Sequence, residues 1–249
     1  RHEFLRRICL RGIDVQVWLG VCDPLGSGTP YGPLARILRQ LAQLHDAATM
    51  DEKRSKLRQW ITEHAPVGDA PFVAELLGEI CGVHFAGEHN IKLRAARQDP
   101  RLMADLVLQS LLMWMRTECQ KRPLLVVLED LQWCDGLTIK AVGNALSQMS
   151  DSPLYVLALA RPEIQSCFPH LWRGYVQPLQ LRPISRKASE RLVKQFLGGV
   201  ASATAQIRIV EQADGNPLWL EELIRMHAEG GSEEVPPTIL AMLQVCIGQ

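Results

Sequence analysis

The stretch LLVVLEDLQWCD, residues 124–135, sets two adjacent carboxylates, Glu129 and Asp130, directly behind five apolar residues. A continuous apolar run rich in β-branched residues suits a strand buried on both faces, as in a parallel sheet. Ligands of open parallel sheets bind beyond the carboxyl ends of the strands. Acids placed there can hold a magnesium ion and orient a water for attack on a phosphoryl group. The plainer alternative is that the pair opens a loop, with Asp135 capping a helix that starts near Gly136. Two further segments carry groups of interest. In VLALARPE, residues 156–163, an apolar run ends in Arg161, whose guanidinium suits phosphate oxygens. In ADGNPLWLEEL, residues 213–223, Gly215, Asn216 and Pro217 make a turn that opens a helix, with Pro217 at its first position.

The elements that must position these groups follow from periodicity. Residues 15–21, VQVWLGV, alternate in the manner of a strand, with Val15, Val17, Leu19 and Val21 on one side. A turn-rich loop, CDPLGSGTPYGP, comes next; its GSGTP lacks the Gly-Lys-Ser/Thr ending that would make it a phosphate loop. Helices are predicted over 33–64, 72–81, 101–120, 136–149 and 185–197, with an irregular surface excursion over 82–100. Strands are predicted at 124–128, at 154–160 and near Val176–Leu181, and three short helices over 204–247. Strand, helix, strand, helix and then a helical tail describe an α/β domain with a helical lid, divided as 1–183 and 184–249.

Taken whole, the string at 124–135 resembles the Walker B segment of the signal-transducing ATPases with numerous domains, the STAND branch of the AAA-like P-loop ATPases. Glu129, Asp130, Trp133 and Asp135 fall on that pattern. The resemblance implies magnesium coordination at Glu129, with Asp130 as the alternative ligand, and water activation at Asp130. The family commonly has aspartate where Glu129 stands. Arg161-Pro162-Glu163 is similar to the ending of the family's next strand. The polar sensor residue expected two positions before the arginine is Leu159 here, which leaves Arg161 as the group to respond to a γ-phosphate. Gly215, Asn216 and Pro217 match the lid segment whose proline lies beside the adenine. The resemblance therefore implies ATP and Mg²⁺ as ligands. It also implies a regulatory switch in a multidomain bacterial signalling protein, joined to a serine/threonine kinase or similar effector and to helical repeats.

The family's phosphate loop and the central strand that carries it find no match in the 249 residues, and the chain opens on Arg1 within a helical pattern in which Phe4, Leu5 and Ile8 share a face. The expectation is a P-loop ATPase core lacking its first strand, cut downstream of the loop lysine, with ATP turnover belonging to the intact parent. A nucleotide-independent interaction module, or an inactive fragment, is the alternative. Composition narrows the rest. Lys plus Arg equals Asp plus Glu at 27 each, which argues against a nucleic-acid or membrane-surface role, both of which favour basic excess. Seven cysteines show no CxxC pair and no zinc spacing, as expected of reduced thiols in the cytoplasm. A two-carboxylate hydrolase is disfavoured, because neighbouring residues on a strand point to opposite faces. Cys134 has no histidine motif to make it a nucleophile, and the acidic segment EELIRMHAEGGSEEV offers no DNA-recognition helix.

Overall fold

The computed structural model describes residues 6–8, 10–24, 28–66, 68–86, 91–198 and 201–228. Contacts divide the chain into two compact units, residues 1–176 and 177–249. The first is a three-stranded parallel sheet with helices. Strand β1 (Gln16–Val21) pairs with β2 (Leu124–Glu129), and β2 pairs with β3 (Leu154–Ala158), so the order in the sheet is the order in the sequence. The register sets Val21 opposite Glu129 and Leu128 opposite Ala158, which brings the carboxyl ends of all three strands to one edge. Every apolar residue of β2 is buried, as a continuous run of this kind requires in a central parallel strand.

Strand β1 keeps its alternation but buries the side without the branched aliphatics. The buried side is Gln16, Trp18 and Gly20, while Val17 is 37 % exposed. The reason lies in what each residue meets. Trp18 stacks on Trp114 with ring centroids 4.1 Å apart, and Gln16 donates to the buried Glu118. Gly20 sits so close to its neighbours that a Cβ there would lie 2.9 Å from Leu128 Cδ2 and 3.2 Å from Pro33 Cβ. Packing chose the tryptophan face over the branched aliphatic one.

The helical stretch predicted over 33–64 is two helices, α1 (Gly32–Leu41) and α2 (Met50–His64). Gln43 takes a positive φ that ends the first. Thr49 and Glu52 then form a reciprocal capping box that starts the second, with Glu52 accepting from the Thr49 N–H at 2.7 Å. Helix α3 (Ala70–Cys81) follows, then α4 (Ile91–Ala96) inside what reads as an irregular excursion; Leu93 and Ala96 are buried and account for it. Helix α5 (Pro100–Lys121) leads into β2, and α6 (Gly136–Gln148) and the four-residue α7 (Ile164–Cys167) flank β3.

In the second unit α8 (Arg186–Leu197), α9 (Ala203–Ala213) and α10 (Pro217–Ala228) pack around Val193, Leu197, Ile209, Val210, Ala213 and Leu220. The third short helix expected by 247, and residues 1–5 of the opening helical pattern, lie outside the described residues. The strand predicted near Val176–Leu181 does not form. Val176, Leu179 and Leu181 are 45 %, 85 % and 83 % exposed, and Pro178 removes one of the backbone donors a ladder needs. No helix among the described residues is long and apolar enough to cross a membrane.

Candidate functional site

Strand β2 stops because Asp130 turns the chain. Its φ of 53° and ψ of 44° lie in the left-handed region, which aspartate tolerates better than most side chains. The Asp130 carbonyl then accepts from Trp133 N at 2.9 Å, closing a single 3-10 turn over Leu131–Trp133. Glu129 and Asp130 are half-buried at the end of a strand whose preceding five residues are buried. Two carboxylates therefore stand where the sheet meets solvent. The backbone bonds continue past the strands, with Leu159 N donating to Leu128 O at 2.8 Å and Leu131 N to Leu159 O at 3.0 Å.

Gln132 makes the next link. Its Nε2 donates to Asp130 Oδ1 at 3.2 Å, and its Oε1 accepts from the Arg161 backbone N–H at 3.1 Å. The Arg161 guanidinium lies 5.3 Å from the centre of the Trp133 ring, a cation–π arrangement. The structure thus brings Asp130 and Arg161, predicted from separate segments, into one hydrogen-bonded group. Gln132, which joins them, was not singled out in the sequence. Its one cue is that it stands between Asp130 and Trp133.

Asp135 anchors the loop from below. It caps α6, with Oδ1 accepting from Thr138 N at 2.8 Å and Oδ2 from Thr138 Oγ1 at 2.7 Å. The same Oδ1 accepts from Tyr31 N at 3.0 Å, which ties the residue before α1 to the loop after β2. Tyr31 has its phenol pushed up to about 12 by burial first, then by the nearby carboxylates of Asp135 and Asp105. Cys134 is buried beside Cys22, and hydrogen bonding between the two thiols, then burial, drives the Cys134 thiol far up, against nucleophilic use. A hollow of about 110 Å³ between the ends of β1 and α1 is lined by Cys22, Asp23, Arg36, Arg39, Trp133 and Asp135. A broader groove of about 500 Å³ along α6 takes in none of the predicted site residues.

Gly215, Asn216 and Pro217 lie in the second unit and are described within it. Gly215 has a φ of 74°, and a Cβ there would lie 2.8 Å from the Ile184 carbonyl oxygen. That close approach lets Ile184 N donate to Gly215 O at 2.9 Å. Asn216 Oδ1 accepts from Leu218 N at 3.0 Å and Trp219 N at 3.4 Å, and Pro217 begins α10. The turn is a helix cap in its own right.

The donor set at the strand end suits a hard cation: magnesium takes one or two carboxylates and completes its shell with water and substrate phosphate. Glu129 and Asp130 supply that number, and no group of three or more His, Cys, Asp or Glu side chains able to hold a metal occurs among the described residues. The family model for the AAA ATPase domain matches residues 2–159, a span that includes the three strands and the two acids. No curated protein and no solved structure matches the chain.

Proposed function

We propose, for a chain that belongs to the AAA ATPase domain family, that it serves as an ATP-binding regulatory module of a multidomain bacterial signalling protein, coupled to a serine/threonine kinase or a similar effector. The observation that carries the reading is the position of Glu129 and Asp130 at the carboxyl end of the central parallel strand, with Arg161 linked to Asp130 through Gln132. In this reading Glu129, with Asp130 as the alternative, holds Mg²⁺, which neutralises phosphate charge when bound. Asp130 orients the attacking water and takes its proton while oxygen bonds to the terminal phosphorus and the bond to the bridging oxygen breaks, leaving ADP and inorganic phosphate. Arg161 answers to the γ-phosphate. ATP and ADP are the small-molecule partners, and neighbouring domains of the same protein receive the signal.

The 249 residues contain no Gly-Lys-Ser/Thr phosphate loop. Backbone amides and a lysine at such a loop supply much of the grip on phosphates, so this chain by itself is expected to turn ATP over weakly or not at all. The test is calorimetric titration of MgATP into the natural full-length protein, with steady-state hydrolysis beside it. Asp130→Asn is expected to keep nucleotide binding and to lower kcat by about 100-fold, the scale of losing a positioned general base. A full-length protein that binds no nucleotide would leave the interaction-module reading in its place.

A further inference from the structure

We propose that Gln132 is the positioning residue of this site, its side-chain amide fixing the Asp130 carboxylate and the Arg161 backbone in one frame. The inference rests on the reading of Asp130 given above. The main-chain ladder between β2 and β3 ends at the bond from Leu131 N to Leu159 O. Two residues beyond Leu159, Arg161 N donates to a side chain instead of to the main chain, and Gln132 Oε1 accepts it at 3.1 Å. The other end of the amide, Nε2, donates to Asp130 Oδ1 at 3.2 Å. Gln132 is in effect the last rung of the sheet, built from a side chain, and it ends on an acid.

The chemistry of the two ends fixes which residue can do this. A backbone N–H needs an acceptor, and a carboxylate needs a donor. Turning the amide over would set N–H against N–H and oxygen against carboxylate oxygen, so one orientation satisfies the pair. Glutamate would keep the acceptor and lose the donor. Lysine would keep a donor and lose the acceptor, and asparagine falls one methylene short. Among the described residues no other side chain donates to the Asp130 carboxylate, and Arg161 N has no other acceptor. A shift of Asp130 is therefore transmitted to Arg161, whose guanidinium rests 5.3 Å from the Trp133 ring centre.

Two substitutions separate the ends. Gln132→Glu preserves the acceptor for Arg161 N and places a second carboxylate beside Asp130; Gln132→Met matches the length and removes both bonds. Hydrogen exchange at the Arg161 amide is expected to stay protected in Gln132→Glu and to quicken in Gln132→Met. In the full-length protein kcat for ATP is expected to fall about tenfold or more in each variant, the usual scale for a supporting residue, with KM for MgATP changed less than about twofold. A residue that merely stabilised the loop would let Gln132→Glu, which keeps the Arg161 bond, retain kcat. Unchanged kcat in Gln132→Glu, with wild type active and Asp130→Asn slowed about 100-fold, overturns the positioning role and leaves the ATPase reading intact. A wild-type protein without hydrolysis overturns both together. Equal exchange at Arg161 in wild type and Gln132→Met overturns the inference by itself.

Discussion

Gln16 opens β1 and Glu129 closes β2, so the two ends of one pair of parallel strands can be set side by side. At the opening end Glu118, 1 % exposed, accepts from Gln16 Nε2 at 2.7 Å, His64 Nδ1 at 2.6 Å and Lys121 Nζ at 3.1 Å. Around this cluster three tryptophans close ranks: Trp18 stacks on Trp114, Trp60 meets Trp114 edge-on, and His64 lies flat on Trp60 at 4.1 Å. At the closing end Asp130 is half-buried and receives one side-chain donor among the described residues, and that donor is shared with a strap to Arg161. One carboxylate is spent on holding the strand and helices α2 and α5 together. The other keeps acceptor capacity facing solvent. A buried acid is tolerable when several donors meet it, whereas an acid meant for a ligand must leave lone pairs over.

The largest effect that would sharpen this contrast is loss of the Glu118 carboxylate. Glu118→Ala strands Gln16, His64 and Lys121 around a cavity, and is expected to lower unfolding free energy by about 3 kcal/mol, as for breaking a buried charge-assisted cluster. Urea denaturation measures it. A loss under about 1 kcal/mol would mean that the cluster stabilises no more than a surface pair does, and the contrast between the two ends would collapse.

Legibility in the sequence follows the same division. The end bearing Glu129 and Asp130 was readable because its signal is local: five apolar residues, two acids, a tryptophan and a helix-capping Asp135 within twelve positions. The opening end was not, because Gln16 and Glu118 are 102 residues apart and neither stands in a pattern. For the same reason the alternation in β1 does not say which face is buried, since that is decided by Trp114 far along the chain. The sequence also suggests a strand over 176–181, where the apolar residues are present but Pro178 interrupts the donors. Gln132 was missed for a related reason. A glutamine announces two-ended bonding only once its partners, two and 29 residues away, are in place.

A middling effect is expected in acid. Burial works to raise the Glu118 carboxyl, but hydrogen bonds from His64, Gln16 and Lys121 outweigh it and hold the group below its ordinary value of 4.5. A carboxyl lowered on folding contributes stability that is fully present above the unfolded value and is lost as pH falls through the folded one. Stability should therefore decline on the acid side of pH 4.5, and Glu118→Gln should flatten that decline while lowering the plateau at neutral pH. Denaturant midpoints between pH 3 and 7, a range of about four units around the carboxylate values, make the comparison. An acid limb of equal slope in wild type and Glu118→Gln would assign acid sensitivity to other carboxylates.

The smallest expected change is the one that separates the ends most cleanly. Asp130→Asn keeps an oxygen to accept from Gln132, and asparagine takes the left-handed backbone at least as readily as aspartate. The half-buried position leaves water to solvate what the charge had attracted. Stability is thus expected to move by less than about 0.5 kcal/mol, the range of substitutions away from packing and buried networks. The same variant is the one proposed to lower kcat by about 100-fold, so stability and activity should diverge at Asp130. A loss of about 2 kcal/mol or more, on the scale of an unsatisfied buried group, would instead make Asp130 a second Glu118, an acid held for the fold. Its carboxylate would then be held by the fold rather than turned to a ligand.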